Sequence, residues 1–120
     1  MVEDFNDLRE LVTFYLCNHG YDVLGAPTGK AGIETAVTEN PDLVLLDLRL
    51  PDINGVEVAR ELRKLPQTAH IPIVAWTADC RSKPAEEVWR SAGIIDCLEK
   101  PVSMRQLEAV IQRFVSTEQP

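Results

Sequence analysis

Asp47 stands at the far end of an apolar run, Leu43, Val44, Leu45 and Leu46, and is followed by Pro51 and Gly55. A run without alternation suits a strand buried on both faces, as in a parallel sheet covered by helices. Such sheets gather their chemistry beyond the carboxyl ends of their strands. Aspartate is depleted inside strands, so Asp47 reads as a carboxylate presented at a strand tip. Three other segments end in the same way: Glu3 and Asp4 follow Val2, Thr77 closes IPIVAWT, and Lys100 closes IIDCLEK before Pro101. Glu3, Asp4 and Asp47 brought close would repel one another and resist full ionisation unless a divalent cation neutralised them. Oxygen ligands with room for waters suit magnesium. Each residue also has a local reading: Asp47 as a turn residue, Glu3 and Asp4 at the start of a helix, Thr77 as a β-branched strand residue, and Lys100 as an exposed strand-end lysine.

The elements that must position these groups follow from periodicity. Leu8, Leu11, Val12, Tyr15 and Leu16 recur at helical spacing, with Asn6 or Asp7 as cap and Gly20 as stop. Residues 21–25 read as a short strand, and Thr28 as the cap of a helix carrying Ile33, Ala36 and Val37 to its end before Pro41. Asn54 caps a third helix through Val56, Ala59 and Leu62. A strand over 71–76 precedes a helix with Pro84 in its first turn and an end at Gly93. A strand over 94–98 leads to a last helix opened by a capping box, Ser103 and Gln106, with Met104, Leu107, Val110, Ile111 and Phe114 on its buried face. Strands alternating with helices predict a parallel sheet with right-handed crossovers. Only Met1 and Val2 precede the acidic pair, whereas a strand needs about five residues, so the first strand is expected to be truncated.

In this order and at these intervals, Glu3-Asp4, Asp47 with its LPDING continuation, Thr77-Ala78 and Lys100-Pro101 resemble the receiver domain of two-component response regulators, over essentially all 120 residues. The resemblance implies a flavodoxin-like (βα)5 fold, a doubly wound parallel five-stranded sheet of order 2-1-3-4-5. It also implies an aspartate switch: Asp47 takes a phosphoryl group from a histidine kinase or a phosphotransfer protein, with magnesium. By the same resemblance Asp4 and Asp47 supply direct metal oxygens, Glu3 acts through water, and the backbone carbonyl of Arg49 completes the set. Lys100 and the Thr77 hydroxyl would hold phosphoryl oxygens, and the surface of the fourth helix, fifth strand and fifth helix would carry the signal to a downstream protein or output domain. Most receivers place an aromatic residue three before the lysine; here Cys97 stands there, a departure that removes the usual aromatic readout.

Composition agrees with one domain over 1–120 with a polar tail at 116–120, since 120 residues at 45% hydrophobic content can bury a real core. A net charge of −7 argues against direct nucleic-acid binding. No apolar stretch approaches a membrane span and no leader opens the chain, so the expectation is a cytoplasmic protein with no membrane contact. Cys17, Cys80 and Cys97 match no zinc pattern and read as reduced thiols; a Cys80–Cys97 bridge is the less favoured alternative. Trp76 reads as core. Trp89 reads either as core or as part of the output surface. Arg49 and Asp79, two beyond Asp47 and Thr77, are expected to pair over the site and slow hydrolysis. A haloacid-dehalogenase-type phosphohydrolase also uses a strand-tip aspartate, but it needs a second acid two residues on, where Arg49 stands. An unphosphorylated interaction module is the other rival, and the filled site positions weigh against it. The expected role is a signalling switch, not a metabolic enzyme.

Overall fold

The computed structural model of the chain describes residues 1–3, 5–78 and 82–115. Five helices alternate with three strands: α1 (Asn6–Cys17), α2 (Gly29–Glu39), β1 (Val44–Asp47), α3 (Gly55–Lys64), β2 (Ile73–Thr77), α4 (Lys83–Ser91), β3 (Asp96–Glu99) and α5 (Met104–Gln112). The strands form a parallel sheet of order β1-β2-β3, with Asp47 beside Trp76 and Thr77 beside Glu99. Beyond β1 the sheet continues only as single bridges, Val2 to Leu46 on one side and Val2 to Ala26 on the other. The spatial sequence Ala26, Val2, β1, β2, β3 is the expected 2-1-3-4-5 order. The five-stranded expectation is corrected in extent: residues 21–25 carry no strand pairing, and Val2 and Ala26 meet in a single bridge, because the short segment at Val2 cannot pair along a whole neighbour.

Alternation along the strands divides the core between the two faces. Leu45, Val74, Trp76 and Leu98 pack with Val12 and Leu16 of α1 and with Leu107 and Ile111 of α5. Val44, Leu46, Ile73, Ala75 and Cys97 pack with Ala36, Val58, Ala59, Leu62 and Trp89 of the helices on the other side. Every residue of β1 and β2 is buried, which is why the β1 run lacks polar positions.

The helix starts follow their caps. Thr28, Asn54 and Ser82 accept N–H bonds from Ala31, Val56 and Ala85, and Ser103 and Gln106 close a reciprocal capping box. α1 differs from expectation: its N-cap is Phe5, with no side-chain cap, and not Asn6 or Asp7. The Phe5 N–H itself is taken by the Glu3 carboxylate at 3.1 Å, so an acid of the site anchors the cap residue. β3 starts two residues later than the 94–98 reading, and Phe114 lies past the end of α5. Cys97 is disulfide-bonded, which corrects the expectation of three reduced thiols, while Cys17 is free and exposed. Cys80 lies outside the described residues. Among the described residues no helix is long and apolar enough to cross a membrane.

Candidate functional site

The carboxyl ends of β1, β2 and β3 bring Asp47, Thr77 and Lys100 to one edge of the sheet, and the Val2 bridge places Glu3 beside them. Glu3 is held by its backbone N–H to the Ala26 carbonyl, and Asp47 by its N–H to the Val2 carbonyl, both at 3.0 Å. These two bonds convert a separation of 44 residues into neighbouring carboxylates.

Lys100 joins them. Its Nζ donates to Glu3 Oε1 at 2.9 Å and to Asp47 Oδ2 at 3.0 Å. The Glu3 side chain is 1% exposed and that of Asp47 6%, against 27% for Lys100. Burial pulls the Lys100 ammonium down, but the hydrogen bonds and charges of Glu3 and Asp47 outweigh it and hold the group above its ordinary range. The ammonium also lies 4.9 Å from the ring centroid of Trp76, whose face favours a cation. The Lys100 N–H donates to the Thr77 carbonyl at 2.7 Å, and the Lys100–Pro101 peptide is cis. Thr77 itself is buried at the end of β2.

The second oxygen of Asp47, Oδ1, accepts the Arg49 backbone N–H at 2.8 Å, which turns the chain sharply after β1. Gly55 closes the loop: its N–H donates to the Leu48 carbonyl, and a Cβ there would meet the Asp47 carbonyl oxygen at 2.5 Å. Asp52 pins the loop from outside by accepting the N–H groups of Gly29 and Lys30 at 2.9 Å each, across the start of α2. Those backbone bonds hold its carboxyl below the usual range.

Of the expected site residues, Glu3, Asp47, Thr77 and Lys100 converge, and the Arg49 backbone adjoins Asp47 while its side chain is exposed. Asp4 lies outside the described residues, as does Asp79, so the Arg49–Asp79 pairing falls there too. Trp89 is 4% exposed and belongs to the core, not to a surface contact. Two contributors were not foreseen. Arg9 of α1 donates to the Glu3 carbonyl at 2.7 Å, and Asp52 ties the acceptor loop to α2. For Asp52 the signal was present, since an acid two residues before a helix cap is free to cap a second helix. For Arg9 none was.

The donor set is made of hard oxygens, two carboxylates with a backbone carbonyl within the same turn, and contains no sulfur or imidazole. That chemistry fits magnesium.

Fold and site together define a small α/β module built around an aspartate at the end of a parallel strand. Residues 1–112 match the family described as response regulator receiver domain, and the chain belongs to that family. It is 36% identical to the protein PilH of Pseudomonas aeruginosa over 117 residues, covering 97% of this chain and 95% of that protein. It is 41% identical to the aerobic respiration control sensor protein ArcB of Escherichia coli over 100 residues, which are 82% of this chain but only 13% of ArcB. Among solved structures, the receiver domain of a sensor histidine kinase from Pseudomonas aeruginosa superposes with a TM-score of 0.84 at 30% identity, over 94% of this chain and 92% of that one, and holds a magnesium ion in its active-site cleft. The chain is thus a phosphorylatable receiver module of the two-component type.

Proposed function

We propose that Asp47 is the phosphoryl acceptor and that the whole chain acts as one receiver unit. The observation that carries this is the convergence of two buried carboxylates, Glu3 and Asp47, on the single ammonium of Lys100 at the carboxyl edge of the sheet. In the transfer, an Asp47 carboxylate oxygen attacks the phosphorus of the donor. The new O–P bond forms as the P–N bond of a phosphohistidine, or the P–O bond of acetyl phosphate, breaks in line with it. The electron pair leaves with the imidazole or the acetate.

Asp4, Asp47 and the Arg49 carbonyl would hold magnesium directly, with Glu3 acting through water. When bound, the metal neutralises charge on the acceptor and on the transferring group. Lys100 keeps its ammonium on the acceptor edge, where it moves from Asp47 Oδ2 to a phosphoryl oxygen. Thr77, one strand over, presents its hydroxyl to another. Lys100 and Thr77 thus put two donors at the edge where negative charge develops.

The phosphodonor is a histidine kinase or a histidine phosphotransfer protein. The signal leaves through the surface of α4, β3 and α5, where Val88 and Ile95 expose apolar side chains. With Cys97 buried at the position three before Lys100, no aromatic ring turns inward there, so the switch runs through Thr77 and the segment after β2. The module acts in the cytoplasm and performs no chemistry beyond its own phosphorylation and slow dephosphorylation.

The test is intact mass after incubation with magnesium and acetyl phosphate, beside Asp47→Ala. Gain of one phosphoryl group, lost without magnesium or in the variant, is the expected result. No gain, or an undiminished gain in Asp47→Ala, would overturn the assignment.

A further inference from the structure

Trp76 is buried near the carboxyl end of β2, 1% exposed, with Asp47 beside it on β1 and Leu98 beside it on β3. It belongs to the core layer under α1 and α5, with Val12, Leu45, Leu98 and Leu107. Packing alone asks for no indole there. A buried indole brings a donor that needs a partner, and Trp76 Nε1 has no hydrogen-bond partner among the described residues. Leucine or phenylalanine would line the same layer without that cost. What the indole adds is a broad electron-rich face, and the Lys100 ammonium lies 4.9 Å from its ring centroid.

The transfer depends on where that ammonium stands. It ends a flexible four-carbon stem, and the backbone fixes only the root of the stem, through the Lys100 N–H on the Thr77 carbonyl at 2.7 Å. The tip is held by Glu3 Oε1 at 2.9 Å and Asp47 Oδ2 at 3.0 Å. Both holds are ones the reaction disturbs. Asp47 gives an oxygen to the new O–P bond, and these carboxylates are also the groups whose charge a divalent cation would neutralise. The Trp76 face is the remaining hold. It carries no net charge, so it competes for no metal and adds nothing to the repulsion that a phosphoryl group meets from Glu3 and Asp47. A third carboxylate in its place would do both.

We propose that Trp76 is a positioning residue for phosphoryl transfer, whose indole face keeps the Lys100 ammonium at the acceptor edge while Asp47 exchanges that ammonium for the phosphoryl group. This rests on Asp47 being the acceptor, and it adds a residue that acts through Lys100 alone. The freedom of the lysine stem is then given up before the transfer and not during it.

Trp76→Phe and Trp76→Leu separate this role from packing. Both remove a similar volume from the same layer, so their packing losses are comparable, but only phenylalanine keeps a ring face. Uptake from acetyl phosphate with magnesium, followed by intact mass, should be about threefold to tenfold slower in Trp76→Leu than in the parent, with a smaller loss in Trp76→Phe. Both are then repeated in Lys100→Met, where the stem remains without its charge. There the two should differ by less than about twofold, because the group through which Trp76 acts is gone. Equal slowing by Phe and Leu, or a Trp76→Leu loss undiminished in Lys100→Met, would overturn the proposal and leave Trp76 as packing. A second readout needs no transfer. The Lys100 ε-methylene protons, next to the ammonium over the ring, should resonate upfield of an ordinary lysine in the parent and in Trp76→Phe, and return to the ordinary position in Trp76→Leu; an ordinary position in the parent would also overturn the proposal. Failure of the acceptor assignment looks different. It shows as no uptake in the parent, or as undiminished uptake in Asp47→Ala, and takes this inference with it.

Discussion

Replacing Lys100 with methionine isolates the electrostatics of the site, since the stem over Trp76 is kept and the charge is lost. Lys100 Nζ bridges Glu3 Oε1 and Asp47 Oδ2, so the two oxygens lie no more than about 6 Å apart. With the bridge gone, two buried carboxylates face each other, and at an effective dielectric constant near 20 their repulsion is about 3 kcal/mol. That agrees with the usual cost of removing one partner from a buried pair, about 3–5 kcal/mol, taken at its low end because Lys100 is partly exposed. The expected loss in urea unfolding at pH 7, in chelator and low salt, is about 3 kcal/mol, with a fall of roughly 10–15 °C in Tm. Magnesium should then stabilise Lys100→Met more than the parent, because the cation supplies the missing positive charge; saturation at 100 times Kd contributes about 2.7 kcal/mol. A variant as stable as the parent in chelator would refute the reasoning. Equal stabilisation of both by magnesium would refute it too.

Three further outcomes are expected. The Met1 ammonium, lowered from 8.0 to about 6 on folding, binds its proton less readily in the folded chain. Stability should therefore rise from pH 6 to pH 8, by at most about 2.7 kcal/mol. Acetylating the amine should remove the effect in denaturant titrations. Gly55→Ala should cost about 1–3 kcal/mol and slow phosphoryl uptake, because the new Cβ meets the backbone of Asp47 and Leu48 at 2.5 and 2.6 Å; unfolding curves and intact mass check it. Thr77→Ala should slow uptake while holding stability within about 1.5 kcal/mol, and Thr77→Ser should restore the rate; a rate unchanged in Thr77→Ala would remove the hydroxyl from the mechanism.

Asp47, Thr77 and Lys100 were legible in the sequence because each ends an apolar run, and a parallel sheet aligns the ends of its strands. Thr28, Asn54 and Ser103 were legible as caps for a similar reason: the partner of a cap lies two or three residues away. What escaped depends on distant partners. The Lys100 bond to Glu3 spans 97 residues, and the Asp52 bond to Gly29 spans 23. α1 lacks the expected Asn6 or Asp7 cap because the helix opens a residue earlier, with the Arg9 N–H on the Phe5 carbonyl, and the Asn6 side chain bonds Arg9 and Glu10 instead. Residues 21–25 have a strand's composition but no strand pairing, the bridge falling on Ala26 just beyond them, since pairing is a property of the neighbour as much as of the segment. The disulfide at Cys97 has no spacing signature at all.

Trp76 lies directly across from Asp47 in the sheet, 1% exposed, with Lys100 over its ring and its indole N–H lacking a hydrogen-bond partner among the described residues. The emission of a buried indole follows the local field, and the ammonium 4.9 Å away is the one bonded to the acceptor carboxylate at 3.0 Å. Any event that draws Lys100 from Asp47 toward a new anion shifts that field, so the chain carries its own optical gauge of acceptor occupancy. Trp89 sits in the opposite core layer beneath Arg90, on the α4 helix that carries the signal. Trp76 emission read in a Trp89→Phe background would follow the switch without any label.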